Sequence, residues 1–255
     1  DEKKNKTLIR MVGALVIFLF LILSGCENVN APELPNSVDE AFFIKGADLS
    51  MLPQIEAAGT VLFNADSLSE PMLTTLKAAG VNTVRLRLWK DPSSPGHDFS
   101  TVKYFSQRLK NEGFKVWLTV HFSDTWADPG NQAMPKKWEN VWSYSDLLDS
   151  VYAYSSEIAR EIKPDFVQIG NEINSGFLFP YGDRFRYLNK FIELLDTASS
   201  AVRTFSPQSK IILHAAGILY VSTLYESLRS VDYDIIGLSY YPMWHGKPVD
   251  TLSTI

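Results

Sequence analysis

Cysteine is almost absent from these 255 residues, with Cys26 the only one. A lone cysteine excludes internal disulfides, so a small disulfide-stapled scaffold is ruled out. Positive charge is also in short supply. Lys and Arg number 24 against 29 Asp and Glu, a formal net charge of −5. No basic stripe runs through the body, which speaks against a nucleic-acid partner. Neither a short repeat nor a low-complexity tract is visible. No Gly-x-Ser-x-Gly elbow occurs, which disfavours a Ser/His/Asp hydrolase. The longest apolar run, Met11 to Leu23, is short of the roughly 20 residues that span a bilayer.

That run is nonetheless informative. Lys3, Lys4, Lys6 and Arg10 precede it, and Leu23-Ser24-Gly25-Cys26 follows. A basic region, an apolar core and small residues before a Cys are similar to the lipobox of bacterial lipoproteins. Residues 1–25 are therefore expected to be a lipoprotein signal peptide. Cys26 is expected to carry the lipid, which places the protein at the bacterial cell envelope, periplasmic or on the cell surface, with the membrane as a partner. The plainer alternative is an ordinary signal peptide with an incidental Cys. Residues 26–41 are polar, contain two prolines and show no apolar periodicity, as a flexible tether would.

From residue 42 onward, strand and helix patterns alternate. Strands are expected at Phe42–Asp48, Asn82–Leu88, Lys115–His121, Asp165–Glu172, Lys210–His214 and Asp234–Tyr241. Helical stretches separate them: Ser69 to Gly80, Ser100 to Glu112, Ser145 to Ile162, Asp183 to Phe205 and Val221 to Leu228. Gly113 and Pro164 stop two of these. Alternation of this kind implies a parallel sheet. The strand faces then discriminate between architectures. Val84, Leu86 and Leu88 alternate with Thr83, Arg85, Arg87 and Trp89, and Val116, Leu118 and Val120 alternate with Trp117, Thr119 and His121. A doubly wound sheet would be apolar on both faces, whereas a barrel strand has an apolar outer face and a lumen face. The expected fold is an α/β (β/α)8 TIM barrel over residues 42–255, with about six of the eight βα units present. Active sites of such barrels lie at the C-terminal strand ends. Arg87, His121, Glu172, His214 and Tyr241 all fall at or near those ends.

Glu172 is the leading candidate for chemistry. Glycoside hydrolysis needs one carboxylic acid to protonate the leaving oxygen and a second carboxylate as nucleophile or base. An Asn-Glu pair at a strand end suits the first role, with Asn171 positioned to hydrogen-bond a sugar hydroxyl. Trp89, Trp126 and Trp244 offer flat faces for sugar stacking, or ordinary core packing. His121, Asp124 and Asp128 are either hydroxyl-binding groups or members of a network holding the loop after the third strand. Their spacing does not suggest a metal site, and no cofactor is expected. Two arginines, Arg85 and Arg87, on one lumen face suggest a site that binds carboxylates or anions. His214 is equally readable as a satisfied lumen residue.

Five blocks carry a resemblance: KGADLS (Lys45 to Ser50), VNTVRLRLWKDP (Val81 to Pro92), VHFSDTWADPGNQ (Val120 to Gln132), VQIGNEIN (Val167 to Asn174) and GLSYYPMWHG (Gly237 to Gly246). Together they resemble family 53 of the glycoside hydrolases, the endo-β-1,4-galactanases. The resemblance implies a retaining mechanism on a (β/α)8 barrel and β-1,4-galactan as the partner. It puts the acid/base on Glu172 and the sugar-binding Asn on Asn171. It also implies a nucleophilic Glu at the end of a seventh strand, beside Arg85 and Tyr241, and His245 to Ile255 contains no Glu. The sequence as given is therefore expected to be an incomplete barrel without hydrolase activity of its own. Two other readings remain: a related β-1,4-mannanase or cellulase, and a non-catalytic surface glycan-binding protein.

Overall fold

The structure, a computed structural model, describes residues 43–140 and 143–245. The expected signal peptide, the tether and Cys26 lie outside the described residues.

Six strands form one sheet: β1 (Gly46–Asp48), β2 (Thr83–Leu88), β3 (Lys115–Val120), β4 (Phe166–Ile169), β5 (Lys210–Ala216) and β6 (Ile235–Ser239). They pair in sequence order, and every pairing is parallel. This is the strand succession of a (β/α)8 barrel, of which the described residues hold six units. The helices between them are α1 (Leu52–Ala57), α2 (Met72–Ala78), α3 (Phe99–Asn111), α4 (Tyr144–Glu161), α5 (Leu188–Phe205), α6 (Val221–Ser227) and α7 (Pro242–His245).

The expected alternation holds. Val84, Leu86 and Leu88 on β2, Val116, Leu118 and Val120 on β3 and Ile211, Leu213 and Ala215 on β5 join one buried apolar cluster. Phe105 and Leu109 of α3, Leu147 and Val151 of α4 and Leu194 and Leu195 of α5 belong to the same cluster. Burying a side chain of this size contributes about 1.5–3 kcal/mol, so this outer seam holds helices to sheet. The opposite faces point into the lumen, where registered partners lie side by side. Asp48 is opposite Arg85, Thr119 opposite Gln168, His214 opposite Gly237 and Ala216 opposite Ser239.

Helix ends follow local chemistry. Asp98 caps α3, its carboxylate accepting the Thr101 amide at 3.0 Å, and Ser143 caps α4 through the Asp146 amide at 3.2 Å. Gly113 ends α3 with φ +82°, a conformation other residues adopt at a cost. Two expected starts are corrected. The helix expected from Asp183 begins at Leu188, because the Asp183 carboxylate takes the Phe185 and Arg186 amides into a turn of its own. Ser69 is not a cap. It pairs with Phe63 in a short bridge, and α2 starts after Pro71 with no side-chain cap. The fourth strand also stops early, at Ile169 rather than Glu172, because Gly170 turns out of the sheet at φ +74°.

Candidate active site

Beyond β4 the chain makes a tight turn that presents Asn171 and Glu172 over the C-terminal strand ends. Gly170 makes the turn possible, since a Cβ there would lie 2.5 Å from the Ile173 side chain. Glu172 itself has left-handed backbone angles, φ 53° and ψ 53°. A non-glycine residue held there costs on the order of 1–3 kcal/mol, so the surroundings must impose it. They do so by hydrogen bonding: the Glu172 amide donates to His214 Nδ1 at 3.1 Å, and the Gln132 amide nitrogen donates to the Asn171 and Glu172 carbonyls at 2.9 and 3.2 Å.

Asn171 is only 1% exposed. Its Oδ1 accepts from Arg85 Nη2 at 3.0 Å and from Gln168 Nε2 at 3.1 Å, while its Nδ2 donates to the Ala127 carbonyl at 2.8 Å. Arg85 reaches the other way to Asp48, Nη1 to Oδ2 at 2.8 Å, so one guanidinium ties β1 and β2 to the turn after β4. Asp48 also accepts the Ser50 hydroxyl at 2.6 Å and amide at 3.1 Å. Burial alone would raise the Asp48 carboxyl. The Ser50 hydroxyl and amide, with the Arg87 and Arg85 guanidiniums, outweigh it and hold the group ionised below its ordinary value.

Glu172 Oε1 accepts the Ser239 hydroxyl at 2.6 Å, and Ser239 Oγ lies 3.1 Å from His214 Nε2. Burial, with Arg85 nearby, pushes His214 down to about 3. Burial, Arg85 and Arg87 push His121 down to about 3 as well. Both imidazoles are therefore neutral near pH 7. The arrangement is one glutamate at the mouth of a barrel lumen, with neutral hydrogen-bonding partners on one side and a guanidinium on the other.

A family model described as "Glycosyl hydrolase family 53" matches residues 44–255. The chain belongs to glycosyl hydrolase family 53. A relative from Neosartorya fischeri, named "Probable arabinogalactan endo-beta-1,4-galactanase A", is 34% identical over 96% of this chain and 70% of its own length. The GH53 catalytic domain of Ignisphaera aggregans superimposes with a TM-score of 0.75 at 36% identity, over 80% of this chain and 61% of that one. A structure from a study of two fungal β-1,4-galactanases gives 0.72 at 31% identity, over 78% and 64%. The chain thus spans less than two thirds of the length of either solved neighbour.

In this family 53 chain, the remaining candidates divide by placement. The loop after β3 is held by its own polar residues. His121 Nδ1 accepts the Ala127 amide at 2.9 Å. Asp124 accepts the Asp91 and Lys136 amides at 3.0 and 2.9 Å, and Asp128 accepts that of Gly130 at 2.8 Å. Each of the three thus accepts at least one backbone amide of this loop or its neighbour. Trp126 is 40% exposed, with the Arg87 guanidinium 5.5 Å from its ring centre, and forms an open flat face beside the mouth. Trp89 is half-buried and meets His97 edge to face, ring centres 4.3 Å apart. Tyr241 and Trp244 meet at a tilt, ring centres 4.8 Å apart, and are 48% and 76% exposed, outside the hydrogen-bonded group around Glu172.

Asp48, Gln132 and Ser239 are the functional neighbours that the sequence did not single out. Asp48 and Ser239 sit inside blocks of the family resemblance, but their partners lie far away in sequence. Among the described residues no second glutamate stands at a strand's C-terminal end, and no three His, Cys, Asp or Glu side chains group as a metal site would require.

Proposed function

We propose that this chain carries the acid/base side of a retaining endo-β-1,4-galactanase cleft. The observation that carries it is Glu172, held over the strand ends by backbone and side-chain bonds, with Oε1 taken by Ser239 and no described residue bonded to Oε2. Oε2 is the oxygen available to protonate a glycosidic oxygen. The family and the galactanase names of its relatives supply the substrate class. A retaining enzyme needs a second carboxyl about 5–5.5 Å away to attack the anomeric carbon. Asp48 does not suit that role, because hydrogen bonds from Ser50 and Arg85 already occupy both its oxygens. Arg85, Asn171 and Gln168 position the turn, and the Trp126 face supports a sugar ring in the cleft. Cys26 is proposed as a lipid anchor at the cell envelope, on the strength of the residues around it.

The test is digestion of pectic galactan, mannan and cellulose by the full-length protein and by Glu172→Gln. Wild type should release short oligosaccharides from galactan by internal cuts and leave mannan and cellulose intact. Glu172→Gln should slow galactan turnover by on the order of 10²–10⁴-fold, while substrates with very good leaving groups are spared. Galactan turnover untouched by Glu172→Gln would exclude this glutamate. Release of monosaccharide alone would exclude internal cutting.

A further inference from the structure

Glu172 is wired to itself through two residues. Its backbone amide donates to His214 Nδ1 at 3.1 Å, and a backbone N–H can only donate. A neutral imidazole that accepts at Nδ1 carries its hydrogen on Nε2. His214 Nε2 lies 3.1 Å from Ser239 Oγ, so that nitrogen donates to the hydroxyl. The single hydrogen of Ser239 is then free for Glu172 Oε1, 2.6 Å away. Every hydrogen in the ring has one direction, and the direction begins at an amide that cannot reverse.

We infer that His214 and Ser239 form a one-way donor chain that reserves Oε1 of Glu172 as an acceptor and so confines the catalytic proton to Oε2. If the proton sat on Oε1 instead, Ser239 Oγ would have to accept from both Nε2 and Oε1. Its own hydrogen would then leave the ring. A carboxylic acid with two equivalent oxygens would present the wrong one to the leaving group half of the time, and the chain removes that choice. It also favours the ionised form once the proton has been given up, because Ser239 then donates to a charged oxygen.

The fold supplies this geometry from three strands. Glu172 follows β4, His214 is on β5 and Ser239 ends β6. Gly237 lies opposite His214 in the β5–β6 register, and a Cβ there would approach His214 Cδ2 to 3.0 Å, so a glycine makes the slot for the ring. The charged and titratable groups around the chain are Arg85 on β2 with Asp48 of β1 behind it and His121 at the end of β3. On the far side of Ser239, His245 packs against Gly217. None of these bonds to Ser239 Oγ among the described residues.

The inference rests on Glu172 being the acid/base, and the experiment separates the two claims. In the full-length enzyme, kcat/KM for galactan is measured against pH for wild type, Ser239→Ala, Ser239→Thr, His214→Asn and Glu172→Gln. The same variants are assayed on aryl galactosides with good and poor leaving groups, and thermal midpoints confirm folding. Ser239→Ala should lower galactan kcat/KM about tenfold and move the alkaline limb, which reports loss of the acid's proton, upward by about one pH unit. The poor leaving group should suffer more than the good one. Ser239→Thr, which keeps the hydroxyl, should restore both readouts. In His214→Asn the amide oxygen can still accept from Glu172 while nothing orients Ser239, so its limb should move the same way. A folded Ser239→Ala with wild-type turnover and an unmoved alkaline limb overturns the inference. An unmoved limb in His214→Asn removes His214 from the chain. If Glu172→Gln itself keeps full galactan turnover, the acid/base reading has failed rather than the donor chain.

Discussion

At the scale of single residues, His121 and His214, two of the three buried histidines, make a prediction about acid stability. His121 and His214 are both held near 3 in the folded protein, against an ordinary value of about 6.5. The folded state therefore refuses protons that the unfolded chain accepts between those values. Their neutral form stabilises the fold fully above about pH 6.5, and that stability drains away as pH falls toward 3. Between pH 7 and 5 the ordinary carboxylates stay ionised, so the loss in that window belongs to the histidines. It should amount to roughly 1–2 kcal/mol for each. Urea midpoints at pH 7 and pH 5 measure it. The double variant H121Q/H214N should show a flatter dependence than wild type, and an equal slope would mean that neither ring resists protonation.

At the scale of elements, an Asx side chain precedes every second strand and catches the strand before it. Asn82 Oδ1 accepts the Lys45 amide at 3.0 Å ahead of β2. Asp165 Oδ2 accepts the Val116 amide at 2.9 Å ahead of β4, and Asp234 Oδ2 accepts the Ile211 amide at 2.8 Å ahead of β6. These clamps sit at the N-terminal strand ends, the face of such barrels that serves stability rather than catalysis. Asp165→Ala would leave the Val116 amide without this partner and remove the ion pair to Lys115, 3.1 Å from the carboxylate. The expected cost is roughly 1–3 kcal/mol, read as a lower denaturant midpoint. Galactan kcat/KM below the unfolding range should stay at the wild-type value. A Asp165→Ala variant that keeps its midpoint but loses turnover would contradict this division between the two ends of the barrel.

At the scale of the whole molecule, we propose that the N-terminal residues form a lipoprotein leader. The basic cluster, the 13-residue apolar run and Leu23-Ser24-Gly25-Cys26 lie outside the described residues, and the proposal is that they end in a lipidated Cys26. A single acyl chain binds membranes marginally, whereas two or more hold firmly. Wild type should therefore partition with membranes after cell breakage, and Cys26→Ala should appear in the soluble or secreted fraction. Equal membrane association of both variants would leave the Cys without an anchoring role. An anchored galactanase would hold its cleft near the cell surface, where short oligosaccharides cut from a polymer too large to enter the cell are released.

Much of this protein was legible in the order of its residues. Strand alternation is a period-two signal, and it exposed the lumen faces of β2 and β3 because each has apolar residues on one side only. Gly113 marked a helix end because glycine takes the left-handed closing conformation without a Cβ penalty, and Pro164 because it has no N–H to continue the helix. Glu172 stood out because an Asn-Glu pair at a strand end is a local pattern within a longer resemblance. Other features could be decided only by tertiary structure. The early end of β4, the left-handed Glu172 and the turn at Asp183 depend on bonds to residues distant in sequence or on competition between local bonds. Asp48 could not be recognised as the partner of Arg85, nor Ser239 as the donor to Glu172, because 37 and 67 positions separate those pairs. A sequence displays periodicity and local turn chemistry, which arise from neighbours along the chain. Which oxygen of a carboxylate accepts, and from whom, arises from neighbours across the lumen, and those exist only once the parallel strands have aligned in register.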